Sequence, residues 1–264
     1  MKPSGVVTLL TDFGLRDPFV GVMHGVILGR FPQARIVDLS HGVEAQCVDE
    51  AAFWLERCFS YFPPGTVHVA VVDPEVGTAR QALVLASHGH VFVAPDNGLV
   101  SRLASLPDAE AFAVDIESVG LGVPSRTFHG RDVFAPLGAE LASGRLSPSA
   151  VGPRALVRPL PTPLVAVESG ELEGRVVSVD HFGNLITDIG RERLRSFARP
   201  VLEIQGNEIP FAGTYAEVPE HEALALVSSF DSVEIAVRGG NAATRFGVHR
   251  GCPVRIREAR PRSK

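Results

Sequence analysis

Residues 61–80 read YFPPGTVHVAVVDPEVGTAR, and the argument for the fold class starts from the run VHVAVV inside them, Val67 to Val72. A Pro-Pro-Gly turn leads into it and an Asp-Pro turn leads out. The run is apolar almost throughout, which is the pattern of a strand covered on both faces and places it near the centre of a parallel sheet. Working outward, strand patterns at Val6 to Leu10, Ile36 to Leu39 and Thr66 to Val72 alternate with helical patterns at Val20 to Phe31 and Val48 to Phe59. That alternation predicts an α/β domain with a mainly parallel sheet. Ala82 to Ala86 and Val91 to Val93 read as a hairpin around the exposed turn Ser87-His88-Gly89-His90, and Phe134 to Ala142 as a helix ending before Gly144.

From Ser147 to Pro163 the sequence turns to Pro, Ser, Gly and Arg without periodicity, which marks a linker. The expected domains are therefore 1–160, the N-terminal α/β domain, and 161–264, a smaller C-terminal one. In the second, apolar residues recur with period two at 175–179, 185–188, 201–204, 223–227, 233–237 and 254–257, so a small antiparallel, barrel-like β-domain is expected.

Hydrophobic residues make up 45% and charged residues 21% of the 264 residues, enough apolar material for two cores. The formal charge of −5 argues against nonspecific nucleic-acid binding, and the basic tail Arg255 to Lys264 reads as a solvated end. No run has the length of a membrane span, and Val6 to Leu10 is too short for a signal-peptide core. A soluble, cytoplasmic protein is expected. Cys47, Cys58 and Cys252 form no CxxC pair and fit reduced thiols.

In open α/β sheets ligands collect beyond the carboxyl ends of the strands, and polar residues cluster at those positions here. Asp12 follows the first strand, Ser40 and His41 the second, Asp73 the third, and Asp96 with Asn97 the hairpin. Singly, each Asp fits a turn or helix cap. Together, carboxylates meeting on one edge repel one another unless a ligand, cation or arginine compensates. Arg80 lies seven residues beyond Asp73 and can return from the Gly77 turn to pair with it, while His129 adds a titratable group. Spacing alone leaves two readings open: a surface salt bridge with a helix-start histidine, or an Asp–Arg–His set that orients a water and takes up its proton. His88-Gly89-His90 lacks a third metal ligand nearby, and no P-loop, nucleophile elbow, HExxH or GxGxxG motif is present.

The segments TDFGLRDPFVG (11–21), DLSHGV (38–43), YFPPGTVHVAVVDPEVGTAR (61–80), APDNGL (94–99), TFHGRDVFAP (127–136) and VDHFGNLITDI (179–189) resemble, in order, those of the S-adenosylmethionine hydroxide adenosyltransferases, relatives of the fluorinase and chlorinase. The resemblance implies an N-terminal α/β domain, a C-terminal β-domain and a homotrimer with active sites between subunits. It also implies hydrolysis of S-adenosylmethionine to adenosine and methionine by attack of water on the ribose C5′, with no metal and no cofactor. S-adenosylmethionine is then the substrate. Position by position, it assigns Asp73, Arg80 and His129 to the water, Asp12 to the ribose hydroxyls with Asp17 in support, Asp180 to the methionine ammonium, and Phe182 and Asn184 to the adenine. In SSFDSVEIAVRGGNAA (228–243) it assigns Ser229 to the methionine carboxylate, with Glu234 among the binding residues. The chain departs from the fluorinase pattern at Phe230 for an arginine, Gln46 for a tryptophan and Asp73 for a tyrosine, all in favour of water over halide.

Three other readings stand beside this one. A halide-using adenosyltransferase is disfavoured by the Asp73, Arg80 and His129 set. Asp12, Asp38, His41, Asp73, Asp96 and His129 could instead serve a divalent-metal phosphoesterase-like hydrolase, since carboxylates and histidines suit Mg²⁺ or Mn²⁺. The third is a sensor that binds S-adenosylmethionine without turning it over.

Overall fold

A computed structural model describes residues 2–160, 167–168 and 170–259, and the chain divides into the units Met1–Pro161 and Thr162–Lys264. The N-terminal sheet comprises β1 (Val6–Thr11), β2 (Arg35–Ser40), β3 (Val67–Val71), β4 (Ala82–Ser87), β5 (His90–Pro95) and β6 (Glu110–Ala113), in the order β2-β1-β3-β5-β4-β6. β1 runs parallel to β2 and β3, and β3 parallel to β5, while β4 is antiparallel to both of its neighbours. The sheet is mainly parallel, and β3 lies inside it, as its sequence requires.

Strand side chains alternate between faces, and both faces of this sheet are covered. Val67, Val69 and Val71 pack with Met23 and Ile27 of helix α1 (Phe19–Arg30) and with Leu137 and Leu141 of a second helix, Ala135–Ala142. Ala70 and Val72 pack on the opposite face with Ala51 and Leu55 of α2 (Val48–Cys58) and Leu103 of α3 (Ser101–Ala104), which makes Ala135–Ala142 α4 in chain order. α4 lies so close to β3 that a Cβ on Gly138 would sit 2.6 Å from Val69 Cγ2. The four-residue elements α3 and β6 were not expected from sequence, being shorter than the window in which periodicity declares itself.

Two expectations need correction. The hairpin turn narrows to His88 and Gly89, both at positive φ (50° and 74°), as a two-residue turn of this hand requires. Ser87 and His90 therefore pair in the ladder, and His90 is buried, with Nδ1 3.1 Å from Nε2 of the buried His68. Only His88 is an exposed turn histidine. Likewise, the first part of the expected linker is built into the N-terminal unit. Ala113 N donates to Pro153 O, Asp115 N to Val151 O and Ala155 N to Ala111 O, each at 2.9 Å, and Val151 is fully buried. A proline-rich segment suits this place, because it covers an edge strand without offering a new row of donors. Residues 161–163 of that linker lie outside the described residues.

The C-terminal unit is antiparallel. Its strands are β7 (Val167–Glu168), β8 (Glu171–Val179), β9 (Leu185–Gly190), β10 (Pro200–Ile204), β11 (Asn207–Pro210), β12 (Ala223–Val227), β13 (Ser232–Val237) and β14 (Pro253–Glu258). They run in the order β11-β10-β14-β8-β9-β13-β12, with β7 paired to β8. A bridge from Phe211 to Ala225 brings the end of β11 onto β12, so the sheet nearly closes on itself around Leu185, Leu202, Ile235 and Ile256. Near closure shields the edges that an open sheet of this length would expose. One short helix, α5 (Ala242–Phe246), is capped by Asn241, whose side chain accepts from Thr244 N at 2.7 Å. Among the described residues no helix is long and apolar enough to cross a membrane, and Cys47, Cys58 and Cys252 are all free thiols.

Candidate active site

Thr11 on β1 pairs in register with Val71 on β3, so the two strands deliver Asp12 and Asp73 to the same edge of the sheet. A third chain segment arrives there at His129, which precedes a π-helical turn, Gly130–Phe134, leading into α4. Single π turns inside helices are frequent at functional sites because the extra residue re-aims the side chains around it. These three segments and a fourth at Ala45–Gln46, ahead of α2, wall a cavity of about 420 Å³ lined by Asp12, Gln46, Asp73 and His129 and by the rings of Phe13, Phe19 and Phe128.

Asp73, Arg80 and His129 form one contact set. Arg80 Nε donates to both Asp73 carboxylate oxygens at 3.0 Å, and Nη2 donates to Asp73 Oδ2 as well as to His129 Nδ1 at 2.8 Å. The Asp73 and Arg80 side chains are 5% and 3% exposed, so this is a buried pair and not a surface salt bridge. A guanidinium only donates, so His129 Nδ1 must be the acceptor; the imidazole is neutral and carries its proton on Nε2. Burial lowers the His129 pKa below the ordinary histidine range, and the Arg80 charge adds to it, outweighing the opposite pull of Asp73. Arg80 is packed over the Phe134 ring, 5.2 Å from its centroid, and is not among the residues on the cavity wall. It holds Asp73 and His129 from behind. The turn that returns Arg80 requires glycine at 77, where φ is +80° and a Cβ would lie 2.4 Å from Arg126 O.

Asp12 Oδ2 accepts from the backbone N of Gln46 at 2.8 Å, and Gln46 itself sits at φ 65°, a conformation uncommon for a non-glycine residue. Asp17 is exposed ahead of α1 and does not line the cavity. Sequence reasoning gave no role to Phe13, Phe19 or Phe128, whose rings pair edge to face at centroid distances of 5.2–6.0 Å. All three stand inside quoted motifs, Phe13 and Phe19 in TDFGLRDPFVG and Phe128 in TFHGRDVFAP, and that position was the available signal.

In the C-terminal unit, the remaining residues gather around the β8–β9 turn and the β12–β13 loop. Asp180 Oδ1 accepts from the backbone N of Phe182 (2.9 Å) and of Asn184 (2.8 Å), and Oδ2 accepts from Asn184 Nδ2 at 2.9 Å. This carboxylate folds its own turn. Gly183 at φ +83° completes it, since a Cβ there would lie 2.0 Å from Asn241 Nδ2. Asn184 is buried while the Phe182 ring projects, 72% exposed. Ser229 is exposed and Phe230 half-buried in the β12–β13 loop. Glu234, 4% exposed on β13, accepts a hydrogen bond from Tyr215 Oη at 2.6 Å. Burial pushes the Glu234 carboxyl up and the nearby Asp180 charge adds to it, outweighing the Tyr215 hydrogen bond; Tyr215 is itself raised by burial and by Glu234. Tyr215 was missed because no motif or period ties position 215 to 234.

The metal-ligand grouping finds no support in the geometry. Asp38 contacts His24 and His41, Asp73 is held by Arg80, and Asp96 Oδ1 accepts from Arg158 N at 2.9 Å. Among the described residues no three His, Cys, Asp or Glu side chains are grouped so as to hold a metal ion.

Residues 7–152 match the family model for the SAM hydroxide adenosyltransferase N-terminal domain, and residues 174–255 match the model for the C-terminal domain. The chain belongs to the SAM hydroxide adenosyltransferase family. Within that family it is 40% identical to the (R)-S-adenosyl-L-methionine hydrolase of Thermus thermophilus, over 97% of this chain and 100% of that one. It is 25% identical to the fluorinase of Actinopolyspora mzabensis over 95% of this chain and 96% of that one. Among solved structures, an uncharacterized conserved protein from Thermotoga maritima superposes with a TM-score of 0.87 at 36% identity, covering 95% of this chain and 99% of that one.

Proposed function

We propose that this chain hydrolyses S-adenosylmethionine to adenosine and methionine by in-line attack of water on the ribose C5′. The observation that carries the reading is the buried Asp73–Arg80 pair with His129 hydrogen-bonded to the same guanidinium, whose outer members Asp73 and His129 face the same cavity as Asp12. The identity to hydrolases named for (R)-S-adenosyl-L-methionine supports it. The chemistry asks little of the protein, because a sulfonium leaves readily as a neutral thioether. The water donates to a free lone pair of Asp73 and accepts from His129 Nε2–H. Its oxygen bonds to C5′ as the C5′–S bond breaks, the bonding pair leaves with sulfur, and the water proton passes to Asp73 and on to solvent. Arg80 keeps the two groups at a fixed separation without touching the water. No metal or cofactor enters this scheme.

Asp12 then takes the ribose hydroxyls through the carboxylate oxygen that Gln46 leaves unused. Phe182 and Asn184 take the adenine, Asp180 the methionine ammonium, and Ser229 the methionine carboxylate. We further propose that the protein works in the cytoplasm as a homotrimer whose sites join the N-terminal unit of one subunit to the C-terminal unit of the next.

The test is incubation with each sulfonium epimer of S-adenosylmethionine in ¹⁸O water, with and without chelator or added halide. Adenosine labelled at its 5′ hydroxyl, formed in equal amounts with chelator, is expected. Adenine or unlabelled adenosine would sink the mechanism. Activity lost to chelator would favour the metal reading, a 5′-halogenated product the halide reading, and intact substrate the sensor.

A further inference from the structure

The motif DLSHGV, residues 38–43 at the end of β2, has no part in the chemistry above, yet it is wired to the turn that carries Asp12. His41 Nδ1 lies 2.8 Å from Thr11 Oγ1, and Gly14 N donates to His41 O at 2.8 Å, so the two contacts stand on either side of Asp12. Thr11 Oγ1 also accepts from Phe13 N at 3.1 Å, so the hydroxyl ties His41 to the backbone just beyond Asp12. His41 Nε2 is enclosed and lies 3.0 Å from Asp38 Oδ1. The same oxygen is bonded by His24 Nε2 of α1 at 2.8 Å. Burial raises the Asp38 pKa, but its contacts with His41 and His24 outweigh it and hold the carboxyl below its ordinary range, so it stays an anion facing His41.

We propose that His41, oriented by Asp38, is a positioning residue for Asp12: through Thr11 and Gly14 it fixes the turn that presents the Asp12 carboxylate to the cavity. The chain His24–Asp38–His41–Thr11 then sets the rotation of a carboxylate it never touches. A small rotation matters because hydrogen-bonded recognition of a ligand depends on donor–acceptor angles that fail within a few tens of degrees. This rests on Asp12 being the ribose-binding group.

The test is a double-mutant cycle of His41→Ala with Asp12→Ala, read as KM and kcat with S-adenosylmethionine. His41→Ala is expected to raise KM about tenfold, the scale of one well-made hydrogen bond to a charged group, with kcat changed less than about threefold. His41→Asn, whose amide oxygen can accept from Thr11, should recover most of that loss, and the double variant should be no worse than Asp12→Ala alone. Additive losses, or a fall in kcat at unchanged KM, overturn the proposal. Should His41→Ala fold poorly, Thr11→Val removes the His41 contact together with that to Phe13 N and should raise KM at least as much, again with little change in kcat. Hydrogen exchange of the Gln46 amide, which sits on Asp12 Oδ2, reads the turn without substrate. Faster exchange in His41→Ala restored by His41→Asn supports the proposal even if the wild-type chain leaves S-adenosylmethionine intact, which would fail only the hydrolase reading; unchanged exchange overturns it.

Discussion

Asp73 and Asp180 are both strand-end carboxylates in the proposed site, yet they are held in opposite ways. Asp73 is fixed by a side chain from elsewhere in the fold, the Arg80 guanidinium, which also fixes His129. Asp180 is fixed by its own turn, with both oxygens on the Phe182 and Asn184 groups that follow it. The first arrangement ties a carboxylate and an imidazole to one buried guanidinium and lowers the proton affinity of His129, as acid–base work requires. The second leaves a rigid, locally determined surface with an aromatic ring at its tip, as recognition requires. Changes to the Asp73–Arg80–His129 set should therefore appear in kcat and changes in the C-terminal turn in KM.

The largest effect should come from Asp73→Asn and His129→Ala, each lowering kcat by about 10²- to 10⁴-fold while dissociation constants move only a few-fold. Asp73→Asn also strands the buried Arg80 charge, so folding must be checked by thermal unfolding alongside the assay. Calorimetry showing lost binding with intact turnover would reverse the comparison. Next, Phe182→Ala should raise KM by about 5- to 150-fold, the worth of roughly 1–3 kcal/mol for stacking on a base, with melting temperature unchanged because the ring is exposed. A melting temperature that falls with it would make Phe182 a structural residue.

A smaller, composite effect tests whether the two kinds of site work together across subunits. Asp12→Ala and Asn184→Ala chains, each nearly silent when assayed far below its own raised KM, should at that substrate concentration recover about a quarter of wild-type activity when co-assembled at random into trimers, since one interface in each mixed ring is intact. Mixed trimers no more active than either parent would confine the site to single chains. A last effect, on stability and not on turnover, separates the units by acid. His68 is wholly buried, bonded to Thr8 and beside His90, and burial drives its pKa down from 6.5 to about 3, with His90 adding to the drop. The unfolded chain therefore binds that proton at higher pH than the folded one. Stability should be full above pH 6.5 and fall by about 1.4 kcal/mol per pH unit below it, until the folded group protonates near pH 3. No histidine of the C-terminal unit is buried among the described residues, and Trp54, the one tryptophan, lies in the N-terminal unit and reports its unfolding. A His68→Gln variant with the same acid slope would remove the explanation.

Most of this architecture was legible in the sequence, because period and burial coincide in long elements. The run at 67–72 could be placed inside a parallel sheet because no other context tolerates it, and the six period-two segments of the second unit all became strands. What was not legible depended on contacts distant along the chain. Tyr215 meets Glu234 across nineteen positions, His90 turns inward to meet His68 across twenty-two, and the 151–155 segment is made orderly by β6. The Asp73–Arg80 pair could be anticipated from a seven-residue return, but that Arg80 stands behind the cavity wall depends on how Phe134 packs. Spacing along a chain states who can meet, and packing decides which atom faces the ligand.

The π turn at Gly130–Phe134 ties the site to chain length as well as to side-chain identity. Such a turn holds one residue more than the α-helix it interrupts. Deleting one residue within it would let α-helical bonding resume, and each residue of an α-helix advances about 100° around the axis. With α4 anchored on β3, His129 would swing by about that angle and Nδ1 would leave the Arg80 guanidinium. Asp73, Arg80 and His129 would all survive such an indel by name, and any comparison of residue identities would score the site as intact. For this scaffold the loss of a single codon there is expected to take apart the proposed site while leaving the fold.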